Sequence, residues 1–405
     1  MSTLRYHTAG ESHGPALTCL VRGLPAGLGV DVEFINTELR RRQGGYGRGA
    51  RQQMESDAVT LLGGVRRGRT TGAPVVMQIQ NADQRLDDLR RTPPVYRPRP
   101  GHADLAGALK WLTTDCRETL ERASARETAA RTAAGALARC LLSEFAIETF
   151  GFVRGMLDAM TDVEVRDECL EELIDAREAS EVYCPDAAVS ERIVEHIRQA
   201  KVDRDTVGGL AEVHVFGCPP GLGSCVHFDE KLDGRIARAV MSIQAFKAVE
   251  IGLGKECAFR RGSEVHDAIT FDGGKRESPS LGFARPTNNA GGLEGGMTNG
   301  MPVVVRGTMK PISTLLKGLP SVDLNTKAPE HSAYERSDVC ALPAASVVME
   351  NAVAFEIARA FLEKFGGDSM HQVQAGYDAY MDLARRLPLE PVISAGDLEA
   401  EKGEA

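Results

Sequence analysis

Apolar positions along the chain change period several times, and each change marks an element. Residues 121–142, ERASARETAARTAAGALARCLL, begin polar and become a dense run of Ala with Leu at helical spacing, the pattern of a strong helix former. Ala on nearly every face lets other backbones come close, so this helix is expected to be buried, with Ser124 as its N-cap. A second helix is expected over 344–365 and a short one over 36–42. Residues 16–23, ALTCLVRG, read as a strand entering the turn 24–29. Residues 59–62 and 74–79 read as two more strands, joined through GGVRRGRTTGAP. Residues 92–101 are Pro-rich and read as an extended loop, and 158–205 as an acidic helical excursion.

Two blocks of the pattern return. CLVRGLPAGLG at 19–29 is matched by VHVFGCPPGLG at 213–223, after which Phe34 and Phe228 fall at equal distances. GGVRRGRTTGAPV at 63–75 is matched by GGLEGGMTNGMPV at 291–303, with Gly63, Gly64, Gly68, Thr70, Gly72, Pro74 and Val75 paired to Gly291, Gly292, Gly296, Thr298, Gly300, Pro302 and Val303. Two blocks in the same order imply an internal duplication. Hairpins in each half imply antiparallel sheets whose apolar faces need covering. The expected fold is therefore α/β of the α+β type, a β-α-β sandwich of two antiparallel sheets around a helical layer. One domain is expected over 1–388, including the acidic insert, with 389–405 as a flexible tail.

Composition narrows the partners. A net charge of -9 supplies no global basic field, which argues against nucleic acid. No apolar run approaches the roughly 18 residues of a membrane span, and the N-terminal MSTLRYHTAGESHG has no apolar leader core. Nine Cys without a CxxC pair argue against a disulfide framework or a metal site, so the cytoplasm is the expected compartment.

Against this acidic background, arginines cluster. Arg122, Arg126 and Arg131 open the Ala-rich helix, at the end where the macrodipole disfavours cations. They either lie on a solvated face or surround an anion. Arg41, Arg42 and Arg48 crowd one loop and pose the same choice. His13 lies in GESHG, where no periodicity explains it, and His102 follows a rigid Pro-Gly turn in RPRPGHAD. Histidine is the side chain that titrates nearest neutral pH, so both are candidate general acids, with structural roles as the alternative. Lys310, Ser313 and Thr314 offer a cation and hydroxyls to a second anion, and Asp338 beside Arg336 is a candidate base. Walker and strand-linked GxGxxG motifs are both missing, so anions must be bound by another design.

The stretches GESHGPALT, RPGHAD, ERASARETAARTAAG, GGLEGGMTNG, KPIST and RSDVCALPAASVVMEN, in this order, resemble the signatures of the chorismate synthase family from about residue 4 to 367. The resemblance implies a lyase of the shikimate pathway, EC 4.2.3.5. It converts 5-enolpyruvylshikimate 3-phosphate to chorismate and phosphate with reduced FMN (FMNH2), which lends an electron transiently and is not consumed. It implies that His13 protonates the departing phosphate, that His102 acts near the flavin, and that Asp338 helps remove the ring proton by way of the flavin. Arg122, Ala123, Ser124, Gln244, Ala245, Gly295, Lys310, Pro311, Ile312, Ser313, Thr314 and Arg336 would hold the flavin. The family pattern often has Ser where this chain has Ala123, so a hydroxyl is missing there. Arg42 and Arg48 match loop arginines assigned in the family to NADP; here they are expected, with Arg126, to touch substrate. NADPH would serve only indirectly, through a separate flavin reductase, and a homotetramer is implied. Two rival classes remain at this point: a flavoprotein with net electron transfer from NADPH, and a non-enzymatic anion-binding protein.

Overall fold

The computed structural model describes residues 4–48, 56–335 and 337–390. It mixes helix and sheet. A four-stranded antiparallel sheet has Arg5–Ala9 at one edge, then Ala16–Arg22, Val75–Gln80 and Val59–Gly63. Alternation along the inner strands buries Leu17, Cys19 and Val21 beside Val75, Met77 and Ile79. That apolar face packs on the helix Thr128–Ser143. A five-stranded antiparallel sheet runs Phe246–Ile251, Val303–Met309, Gly209–Phe216, Glu148–Met156 and Ala159–Met160. Its strands 148–156 and 209–216 pack on the helix Leu342–Phe365.

The two helices lie against each other, and one apolar core runs through both sheets and both helices. Their approach is close because the facing residues are small. A Cβ at Gly135 would sit 2.3 Å from the Asn351 carbonyl oxygen, so only glycine fits that crossing. Each fully buried Leu here, such as Leu137 or Leu141, contributes about 1.5–3 kcal/mol of transfer free energy. The helix expected over 36–42 spans Val32–Gln43, capped by Asp31, whose carboxylate accepts from the Phe34 N–H at 2.9 Å.

Ser124 does not cap the long helix. Arg117–Ala123 is a separate helix that ends at Ser124, whose extended backbone (φ -61, ψ 143) breaks the run. Its hydroxyl accepts from the Arg126 N–H at 3.3 Å and so caps the short turn Ala125–Glu127. Arg122 thus occupies the last turn of a helix, where cations are favoured. The acidic segment forms the helices Leu170–Ala179 and Ala187–Val202. The first is held to the outer face of the larger sheet by Phe150, Phe152, Leu170 and Phe216.

The two sequence blocks make matching bonds. Thr70 Oγ1 donates to Pro25 O at 2.6 Å and accepts from Leu28 N–H at 3.0 Å; Thr298 Oγ1 donates to Pro219 O at 2.6 Å and accepts from Leu222 N–H at 2.8 Å. The likeness stops at Phe34 and Phe228: the first packs on the core and the second is 88% exposed.

Candidate active site

His13 lies in the loop between the first two strands, and that loop is clamped to the helix Arg117–Ala123. Ser12 N–H donates to Glu121 O at 3.2 Å, and His13 N–H to Glu121 Oε2 at 2.9 Å. The imidazole is almost fully buried, with Nδ1 2.8 Å from Glu121 Oε1 and Nε2 3.1 Å from Arg85 Nη2. A carboxylate only accepts and a guanidinium only donates, so Nδ1 carries the proton and Nε2 offers a lone pair. Burial works against the Glu121 carboxylate, but the hydrogen bonds from His13, with the charge of Arg117, hold its pKa below the ordinary value. Arg117 reaches onward to Glu335, Nη2 to Oε1, at 2.8 Å.

The arginines divide by partner. Arg42 and Arg126 both donate to buried Asp57, from Nη2 at 2.6 Å and from Nη1 at 2.6 and 2.7 Å. Burial lowers the Arg42 pKa to about 10 even with Asp57 opposing it. Arg126 Nε also donates to Asn81 Oδ1 at 2.8 Å, and Asn81 Nδ2 donates to Gly14 O at 2.8 Å. This pair therefore braces the His13 loop from behind. Arg131 pairs with Glu127 at 2.9 Å. Arg122 stays exposed and donates to the Thr8 and Gly10 carbonyls.

His102 has a similar set of partners from its own loop. Its Nδ1 hydrogen-bonds Asp104 Oδ1, and Arg99 Nη2 lies 3.0 Å from Nδ1. Arg99 also donates to Asp104 from Nε at 2.8 Å and to Thr314 Oγ1 from Nη1 at 2.9 Å. Burial opposes ionisation of Asp104, yet hydrogen bonds from His102 and Arg99 hold its pKa far below the ordinary value. Lys310 Nζ donates to Gly101 O at 2.5 Å, so the 310–314 loop and the His102 loop are one unit. Burial and nearby Lys247 lower the Lys310 pKa. Lys310 N–H donates to Ala245 O at 2.9 Å, and Gln244 Nε2 donates to Glu127 Oε2 at 3.2 Å. Glu127 in turn accepts from Thr8 Oγ1, the same hydroxyl that Arg122 Nη2 reaches. A chain of contacts thus joins Arg122, Gln244, Ala245, Lys310 and the His102 loop.

Arg48 Nη1 donates to Asp338 Oδ2 at 2.6 Å, placing the loop arginine on the candidate base. Gly295 sits at the tip of the hairpin 293–298, where the nearest neighbour of an added Cβ is Cys225 rather than either histidine. Arg336 lies outside the described residues. The sequence reading missed Asp57, Asn81, Arg85, Arg99, Asp104 and Glu121 as site residues. Only Arg99 and Asp104, flanking His102 within RPRPGHAD, had a local signal. Two open hollows of about 330 and 470 Å³ are lined around Asp267 and Arg238 and contain neither His13 nor His102. Among the described residues no helix is long and apolar enough to cross a membrane.

Fold and site together define a mixed helix-and-sheet protein with two histidine stations and clustered arginines held by carboxylates. A family model described as chorismate synthase matches residues 4–362. A chorismate synthase of Desulforudis audaxviator is 52% identical over 391 residues, covering 94% of this chain and 98% of that protein. A relative named chorismate synthase 1 from Bacillus cereus is 48% identical over 397 residues, covering 94% and 100%. A crystal structure titled as chorismate synthase superposes with a TM-score of 0.76 at 40% identity, covering 95% of this chain and 99% of that one. The chain belongs to the chorismate synthase family of enzymes.

Proposed function

We propose that this chain acts as a chorismate synthase: a lyase of the shikimate pathway that eliminates phosphate from 5-enolpyruvylshikimate 3-phosphate, in the anti-1,4 sense, to give chorismate. The observation that carries the reading is the His13 station, in which a buried imidazole backed by Glu121 turns Nε2 towards a guanidinium. A departing phosphate needs a proton, and an imidazole with a carboxylate behind it is stabilised as the imidazolium that would deliver one. In this reading Nε2 passes that proton to the phosphate oxygen as the carbon–oxygen bond breaks. Asp338, positioned by Arg48, supplies a carboxylate for loss of the ring proton. Asp57 fixes Arg42 and Arg126 so that the His13 loop keeps its shape.

The residues assigned to reduced FMN fit such a group. Gln244 Oε1 is buried without a hydrogen-bond partner among the described residues, an acceptor suited to a ring N–H. Lys310 is a partly desolvated cation beside Lys247, a pairing that a phosphate monoester would relieve. Arg122, Ser124, Gln244, Ala245, Gly295, the 310–314 loop and Arg336 would hold it, with Ala123 contributing backbone only. When bound, reduced FMN supplies the electron density that eases phosphate departure, with no net redox change. His102, locked to Asp104 and Arg99, holds its ring in place on the cofactor side.

The matched Thr70 and Thr298 networks support an internal duplication, and the helices between the two sheets support a sandwich. We place the enzyme in the cytoplasm as a homotetramer served by a separate flavin reductase. The test is anaerobic: purified protein, dithionite-reduced FMN and the enolpyruvyl phosphate substrate, followed by chorismate absorbance and released phosphate. Product at catalytic FMN, none with oxidised FMN, and no steady NADPH oxidation are expected. Bound FMN without product, or NADPH consumed in step with product, would overturn the reading.

A further inference from the structure

In the arrangement described, His13 is not yet an acid, because Nε2 carries no proton and accepts from Arg85. The groups facing the ring are Glu121 on Nδ1, Arg85 on Nε2 and Asp83, whose Oδ2 is 3.8 Å from Nε2; Arg117 stands behind Glu121 at 3.5 Å. Half-buried Arg85, like Arg42 and Arg48, leaves its Nε without a hydrogen-bond partner among the described residues, but unlike them it has an imidazole nitrogen as its main acceptor. Asp83 Oδ2 lies 3.2 Å from the Arg85 Nε. The Arg85 Nη1 reaches only the Arg91 carbonyl at 3.5 Å. Arg99 and Arg126, in contrast, each donate from three nitrogens.

The Arg85 backbone, meanwhile, is pinned to the histidine. Arg85 N–H and Leu86 N–H donate to His13 O at 3.0 and 3.1 Å, and Thr92 Oγ1 donates to Arg85 O at 2.7 Å. A fixed backbone with an under-coordinated guanidinium is a side chain able to change partners without moving the loop.

We propose that Arg85 binds the substrate phosphate and gates the acid. This rests on the chorismate synthase reading. A phosphate dianion arriving beside His13 draws the Arg85 fork into a bidentate pair, the strongest arrangement open to it. Nε2 is uncovered, faces a dianion instead of a cation, and takes one proton from solvent. When the carbon–oxygen bond breaks, its electron pair leaves on the phosphate oxygen, and the Nε2 proton follows to that oxygen. His13 returns to the neutral form with its proton on Nδ1, and Arg85 recaptures Nε2 once phosphate has left. Asp83 holds Arg85 within reach throughout. The device keeps the buried imidazolium from forming before there is a phosphate to protonate.

Two measurements test this on the whole protein, with Arg85→Gln and Arg85→Lys beside wild type. The first is the anaerobic turnover assay. The second is calorimetric binding of the enolpyruvyl phosphate substrate with oxidised FMN, in two buffers of different ionisation heat, which counts protons taken up without turnover. Wild type is expected to take up about one proton per substrate near pH 6.5, where an ordinary unmasked imidazole is already about half protonated. Arg85→Gln should bind substrate about 10–100-fold more weakly and take up clearly less, because Nε2 is no longer masked before substrate arrives. Arg85→Lys keeps charge but not the fork and should lie between. Wild-type turnover with unchanged affinity and proton uptake in both variants overturns the role of Arg85 while leaving the enzyme assignment intact. No turnover by wild type overturns both. A purely structural role would weaken binding without altering the proton count, and that result also counts against the gate.

Discussion

His13 and His102 are each built from an imidazole, a carboxylate on Nδ1 and a guanidinium, but the wiring differs. Glu121 and Arg85 come to His13 from 108 and 72 residues away. Asp104 and Arg99 come to His102 from two and three residues away, across one loop and the start of the helix Asp104–Trp111. The guanidiniums differ in commitment as well. Arg99 is bound to Asp104 and Thr314, so it cannot leave His102 without stranding a buried carboxylate. Arg85 can leave His13 at the cost of one hydrogen bond. A convertible station suits proton delivery and a locked one suits holding a bound group, so similar ingredients acquire different functions from the length of chain that assembles them.

Deleting the rings is the hardest test of this contrast. His13→Ala should lower anaerobic product formation by about 10²–10⁴-fold, the range for loss of a general acid, with FMN affinity little changed. His102→Ala should cost less turnover and weaken FMN binding, read by flavin fluorescence titration. Equal losses in both variants, with equal flavin affinity, would erase the distinction. Glu121→Gln should come next. It removes one charge-assisted hydrogen bond, worth about 1.5–3 kcal/mol or roughly 10–100-fold in turnover. An unchanged rate would mean that Glu121 only braces the loop.

The same contrast explains what could be read in advance. RPRPGHAD places His102 and both its partners in one window, so the locked station was nearly legible, although Arg99 and Asp104 carried no recognised role. Nothing local near GESHG announces Glu121, Arg85 or Asp57, because a long-range contact leaves no periodicity in the sequence. The Ala-rich and 342–365 helices were legible because close packing needs small residues at helical spacing, and Gly135 against Asn351 shows how close the packing is. Ser124 was misread because its hydroxyl caps whichever turn follows it, and a break lying between two helix-forming runs is invisible to propensity. The anion that the clustered arginines needed turned out, for Arg126 and Arg131, to be Asp57 and Glu127.

Stability should weigh the two stations the other way from the turnover expected of them. Both carboxyls, Glu121 and Asp104, are held below their ordinary values, which lie near 4 in an unfolded chain, and Asp104 is held far below. A depressed carboxyl favours the folded state above the unfolded value, and that contribution is lost as pH falls towards the folded one. At pH 7 Asp104→Asn strands a buried Arg99 and should cost about 3 kcal/mol or more, read by urea denaturation. Glu121→Gln should cost less, since it leaves a neutral imidazole and Arg117 still paired with Glu335. The deficit of Asp104→Asn should hold steady down to about pH 4 and shrink below it, because only then does wild type begin to lose the ionised carboxylate's contribution. A deficit that stayed constant into strong acid would mean that Asp104 acts by packing rather than by charge. The locked station would then be held by shape, and the contrast with His13 would rest on Arg85 alone.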